Sequence, residues 1–165
     1  MIIRKIEASD ADQFLKLCKQ LDVESKFMML EPQERNTTVA QQEEAIKNMH
    51  KDGLSVIFVC EIDGKIVGHL TANRENYTRM KHSAYIVIGI LKNFTGKGIG
   101  TQLFKELEIW ASQHRIHRLE LTVMCHNTPG IALYKKMGFE IEGVKKHSLK
   151  VDQQFIDEYY MAKLL

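Results

Sequence analysis

Thr95-Gly96-Lys97-Gly98-Ile99-Gly100 sets three glycines on alternate positions, between an apolar run from Tyr85 to Leu91 and an amphipathic segment from Ile99 to Ala111. A strand, a side-chain-free turn and a helix start, in that order, form a backbone anion site. Glycine lets the chain approach a ligand closely, and the first helical N–H groups have no intrahelical partner. Those donors, with the positive end of the helix dipole, favour phosphate. Two common nucleotide motifs fit poorly. Leu103 stands where a dinucleotide fingerprint needs its third glycine. A P-loop would need a glycine at Leu91 and a Ser or Thr directly after Lys97.

Outward from this turn, local patterns give the element order. Ile2 to Glu7 alternates as a short strand. Ser9 with Asp12 reads as a capping box before a helix with Ala11, Phe14, Leu15, Cys18 and Leu21 on one stripe. Met28, Met29 and Leu30 are expected to pack an irregular stretch from Asp22 to Asn36. Thr38 with Gln41 opens a second helix. Leu54 to Ile62 and Lys65 to Ala72 flank Asp63-Gly64, a strong short-range hairpin signal. A strand from Ser83 to Leu91 leads into the glycine turn. Ile99, Leu103, Phe104, Leu107, Trp110 and Ala111 then repeat at helical spacing. Leu119, Leu121 and Val123 alternate in a strand. Asn127 caps a short helix that ends at Gly138. Phe139 to Leu149 and Phe155 to Leu164 form a terminal hairpin around Val151 to Gln154. The order β-α-α-β-β-β-α-β-α-β-β predicts an α+β fold, a largely antiparallel sheet of about seven strands with about four helices.

The 165 residues suit one domain, spanning 1–165. A formal charge of +2 and scattered lysines and arginines argue against a nucleic-acid or anionic-membrane partner. Three cysteines without a CxxC pair indicate neither a disulfide framework nor a zinc knuckle, and no His/Asp/Glu spacing suggests a metal. The N-terminus is charged too early for a signal peptide and no run approaches a membrane span, so a cytoplasmic location is expected.

The element order, with the glycine turn after its fourth strand, resembles the GNAT superfamily of acyl-CoA-dependent N-acyltransferases. Thr95 to Gly100 supplies all but the first letter of that family's Gln/Arg-x-x-Gly-x-Gly/Ala motif. Asn127 to Phe139 is similar to its Asn-x-x-Ala-x-x-Leu-Tyr-x-x-x-Gly-Phe segment. The resemblance implies acetyl-CoA as co-substrate and a primary amine as acceptor, either a polyamine or other cationic amine or a protein N-terminus. It further implies that the backbone of Thr95, Gly96, Lys97, Gly98, Ile99, Gly100 and Thr101 binds the pyrophosphate. Ile88, Gly89 and Ile90 would pair with the pantetheine as an added strand does. Asn127 would reach the pantetheine arm or the strand splay that admits it, and Tyr134 would protonate the leaving thiolate.

Two positions depart from the family pattern. Thr95 replaces the Gln or Arg, and Ala84 and Thr122 occupy the places where branches of the family carry a carboxylate base. His82, Tyr85, Glu120 or a water chain remain as alternatives for that role. Glu31, Glu34, Glu43 and Glu44 in the expected acceptor wall would favour a cationic amine. The terminal run Asp157-Glu158-Tyr159-Tyr160-Met161 resembles, loosely, branches that act on polyamines or ribosomal-protein N-termini. With no evident base, a CoA-binding sensor or interaction module is the alternative to an enzyme. An exposed strand edge at the terminal hairpin would allow a homodimer.

Overall fold

Asp63 and Gly64 both take positive φ, 50° and 75°, the geometry of a two-residue hairpin turn whose twist suits its strands. The computed structural model describes residues 1–165 and places this turn between β2 (Val56–Ile62) and β3 (Lys65–Arg74). The terminal hairpin repeats the device. Asp152 and Gln153 take φ of 49° and 66° between β6 (Glu140–Val151) and β7 (Gln154–Leu164). With β1 (Ile2–Lys5), β4 (Ser83–Ile90) and β5 (Arg118–Met124), the strands form one sheet of order β1-β2-β3-β4-β5-β7-β6. Every neighbouring pair is antiparallel except β4 and β5.

Four α-helices cover the sheet: α1 (Ala11–Glu24), α2 (Val39–Asp52), α3 (Ile99–Gln113) and α4 (Thr128–Lys136). The helical stripe of α3 buries Leu103, Phe104, Leu107 and Ala111 completely, against Phe58, Leu70, Ile86, Leu119 and Leu121. Strand alternation sends Ile57, Val59 and Ile66 to the other face, where Phe14, Leu17, Cys18 and Leu21 of α1 and Ile46 of α2 cover them. The α+β expectation holds in strand and helix number and in the antiparallel bias. No helix is long and apolar enough to cross a membrane.

Two local readings change. Thr38 and Gln41 do form the capping box of α2. At α1 the reciprocal box lies instead between Glu7 and Asp10, around a 3-10 turn at Ala8–Asp10. Arg4 grips the Asp10 carboxylate at 2.6 Å and 2.9 Å, holding it below the usual carboxylate range, and that bond draws the box two residues earlier than Ser9. Met29 does not pack the segment after α1. It is 81% exposed, while Met28 reaches the core under α1.

Between β4 and β5 the pairing is brief. Only Ser83, Ala84 and Tyr85 register with Arg118, Leu119 and Glu120. β4 continues on β3 to Ile90, and β5 continues on β7 to Met124, so the sheet forks there.

Phe104→Ala should lower unfolding free energy by about 3–5 kcal/mol, because the ring fills a fully enclosed site under the sheet. Ile109→Ala on the exposed face of the same helix should change it by less than about 0.5 kcal/mol. Urea denaturation of the two variants checks the contrast.

Candidate active site

At the start of α3, none of the backbone N–H groups of Gly96, Lys97, Gly98, Ile99, Gly100 or Thr101 has a hydrogen-bond partner within the protein. Six consecutive free donors, running from an exposed turn into the first turn of α3, can hold an anion. Gly96 and Gly98 hold φ of 74° and 80°, a left-handed backbone that glycine adopts freely, and no atom lies within 4 Å of where either Cβ would stand. Thr95 differs from its neighbours. Its N–H and its hydroxyl both donate to the Lys92 carbonyl, at 3.3 Å and 2.8 Å, so the free run begins at Gly96. Lys97 adds positive charge, its ammonium 5.0 Å from the centre of the Phe94 ring.

The edge of β4 beyond Tyr85 faces the fork. Leu91 donates its N–H to Val67 of β3, so strand alternation turns Gly89 and Val87 towards β3 as well. Ile86, Ile88 and Ile90 therefore present N–H and C=O to the gap, as an incoming extended chain requires. Gly89 serves differently. A Cβ there would lie 2.6 Å from Leu21 Cδ1 and 3.2 Å from His69 Nε2, so its lack of a side chain lets α1 and His69 close over the strand.

Tyr85 stands where β4 and β5 part. Its hydroxyl accepts the Thr122 N–H at 3.3 Å and shares a 2.8 Å hydrogen bond with Thr122 Oγ1, satisfying an edge donor that a neighbouring strand would otherwise take. Tyr134 comes from α4, whose first turn is fixed by Asn127. The Asn127 Oδ1 accepts the Gly130 N–H at 3.1 Å, so that side chain is a helix cap. The Tyr134 ring packs edge-on to Phe104, 6.0 Å between centroids, and its hydroxyl has no hydrogen-bond partner. Burial, and then the nearby Tyr85, push its pKa up to about 12, which keeps the phenol protonated at neutral pH.

The residues considered as a base separate in space. Arg118 holds Glu120 in an ion pair and takes Glu142 on its other side. His82 lies at the closed end of the strand pair, where its carbonyl accepts from His117 and Arg118. Only Tyr85 reaches the fork. Glu43 pairs with Lys47 and Glu34 accepts the Glu31 N–H, so part of the acidic wall is locally engaged. Cys125 has its thiol pushed up, first by burial and then by Asp157, and is no reactive thiolate.

The segment between α1 and α2 crosses the fork. Arg35 binds buried Asp22 through two nitrogens, at 2.7 Å and 3.0 Å. Lys26 reaches Asp152 at the tip of the terminal hairpin, and the Phe27 ring lies 5.3 Å from His126. One residue of note was not singled out by the sequence patterns. His69 interrupts the apolar run of β3 and is buried there, with no partner for Nε2. Glu158 is a buried acid on β7.

The acetyltransferase (GNAT) family model matches residues 18–139 of this chain. The chain belongs to the GNAT family. An L-amino acid N-acetyltransferase of Escherichia coli is 38% identical over 116 residues, covering 69% of this chain and 70% of that protein. A GNAT acetyltransferase structure from Streptococcus pneumoniae superposes with a TM-score of 0.96 at 28% identity, over 99% of both chains. An acetyltransferase from Salmonella typhimurium, solved with acetyl-CoA, shares the fold with a TM-score of 0.88 at 15% identity, over 99% of this chain and 93% of that one. The protein is thus an N-acetyltransferase of GNAT type.

His69 is held neutral. Burial first, then the Arg35 charge, push its pKa from 6.5 down to about 4. Its folded value is the lower one, so the unfolded chain binds the proton first as pH falls. Stability is complete above about 6.5 and should drop as pH falls towards 4. Denaturant midpoints measured across this window should show the slope in the parent and a flatter line in His69→Gln.

Proposed function

We propose that this GNAT enzyme transfers the acetyl group of acetyl-CoA directly to the primary amine of a small cationic molecule. The observation that carries the reading is the row of six free N–H donors from Gly96 to Thr101, set beside a sheet that forks one strand away. The donors suit a pyrophosphate. The unpaired edge at Ile88 and Ile90 suits the amides of a pantetheine arm, which would add to β4 as a short strand. Acetyl-CoA supplies an activated thioester. Everything else falls to the chain's own groups.

Tyr134 would give its proton to the departing sulfur. The phenol is protonated at neutral pH, so its proton is in place when thiolate charge develops on sulfur. The neutral acceptor nitrogen would bond to the acetyl carbon as the carbonyl π pair moves onto oxygen, and the carbon–sulfur bond would break as that pair returns. The proton lost from nitrogen passes to water, and water restores the Tyr134 proton. An N–H of β4 near Ile90 would donate to the carbonyl oxygen as negative charge gathers there. Tyr85 and Thr122, already bonded to one another, frame the opening through which the amine arrives.

The acceptor is read as small because the fork is spanned. Lys26 with Asp152 and Phe27 with His126 close the cleft over its far end, which suits a compact amine better than an extended chain terminus.

Thioester consumption with a panel of primary amines tests the activity. Tyr134→Phe should reduce kcat by well over about tenfold while acetyl-CoA affinity shifts by less than about twofold. Unchanged turnover would remove Tyr134 from the mechanism.

A further inference from the structure

Glu158 is only 8% exposed, yet no cation pairs with it. Its Oε2 accepts from the Ser148 hydroxyl, and Oε1 has no hydrogen bond at all. Lys145 is its register partner on β6 but makes no ion pair with it. The other buried acids differ. Asp10 is held by Arg4 and Asp22 by Arg35. A carboxylate in so enclosed a place with one neutral donor lacks the compensation that buried charges normally find, and its Oε1 stays open to solvent. A ligand cation would supply it.

The strand register places this carboxylate. Leu121 and Val123 of β5 and Met161 of β7 lie in the core under α3, so Thr122 and Met124 face the other way. Met124 is directly opposite Glu158, and Thr122 is its diagonal neighbour, roughly 7–8 Å away. Glu158 therefore shares the face on which Tyr85 and Thr122 meet, one strand beyond the fork. β6 is bulged between Lys145 and Leu149, where the Asp157 carboxylate accepts the His147 N–H at 2.8 Å, and this bulge carries Ser148 to Glu158.

We propose that Glu158 is a specificity-determining residue that binds a second, non-reacting ammonium of the acceptor, and so selects diamines and polyamines. This rests on the acetyltransfer reading above. The position favours the non-reacting nitrogen for a chemical reason. The attacking nitrogen must be neutral, and a buried carboxylate against it would hold it as ammonium. One strand away, the same charge orients the acceptor without stabilising the wrong protonation state. It also disfavours an acceptor whose amine sits beside a free carboxylate, as in an α-amino acid.

The experiment compares putrescine, butylamine and L-methionine as acceptors for the parent, Glu158→Gln and Glu158→Asp. It also measures putrescine binding to the enzyme–CoA complex by calorimetry. The parent should favour putrescine over butylamine in kcat/KM. Glu158→Gln keeps an acceptor for Ser148 and should lower that ratio by about tenfold or more, through KM rather than kcat. Glu158→Asp should restore part of the ratio, a rescue that loss of packing alone would not give. Calorimetry should show the matching loss of putrescine affinity in Glu158→Gln. An unchanged ratio in a folded Glu158→Gln, or a parent that prefers L-methionine, overturns the proposal while leaving acetyltransfer intact. Putrescine binding that depends on Glu158 without turnover of any amine would instead overturn the transfer reading and keep the site. If Glu158→Gln does not fold, Ser148→Ala should weaken putrescine relative to butylamine, and no such shift overturns the assignment.

Discussion

Two parallel strands that stop pairing after three residues leave two bare edges, and the organisation of the cleft follows from how those edges are satisfied. A buried N–H or C=O without a partner is costly, so a fork in a sheet survives only where something else meets the exposed groups. On β5 the Tyr85 hydroxyl does this for the Thr122 N–H. On β4 no side chain does it at Ile88 and Ile90. Each half of the sheet keeps its own pairing on its side of the gap, since β4 is paired to β3 from Ala84 to Ile90 and β5 to β7 along its whole length.

Packing and electrostatics reinforce the division. Gly89 has no side chain because Leu21 and His69 fill that space, which pins α1 to the strand that borders the fork. Glu24, at the end of α1, accepts the Lys92 N–H at 2.9 Å and ties the same helix to the loop that leads to the glycine turn. Six N–H dipoles gather on the α3 side of the sheet, and an uncompensated carboxylate sits on the opposite face. The two sides of the gap thus differ in sign, positive where phosphate would lie and negative where an amine would enter.

Much of this was legible in the chain itself. Hairpin turns, helix caps and the 3.6-residue stripe of α3 depend on neighbours a few positions apart, and Asp63-Gly64, Thr38 with Gln41, and Asn127 all read correctly. The glycine run was legible for the same reason. What escaped was set by distant partners. The box at α1 moved because Arg4 claims Asp10, and Met29 is exposed because the segment around it is held through Lys26, Phe27 and Arg35 instead. The length of the β4–β5 pairing is a three-dimensional fact with no local pattern. Glu120 and Glu158 look alike on their strands, but one is paired with Arg118 and the other makes no ion pair with Lys145 opposite it. Only the polar residue inside the apolar run Ile66 to Leu70 offered a hint of His69.

The bridge over the fork consists of one solvent-exposed ion pair, Lys26 with Asp152, and one tilted ring contact, Phe27 with His126. Neither is a strong interaction at the surface. The anchor behind them, Arg35 on buried Asp22, is much firmer. The segment is therefore a flap fastened at its base and lightly latched at its tip. The tip can therefore lift while the base holds, and the exposed glycine turn before α3 has no part in that latch.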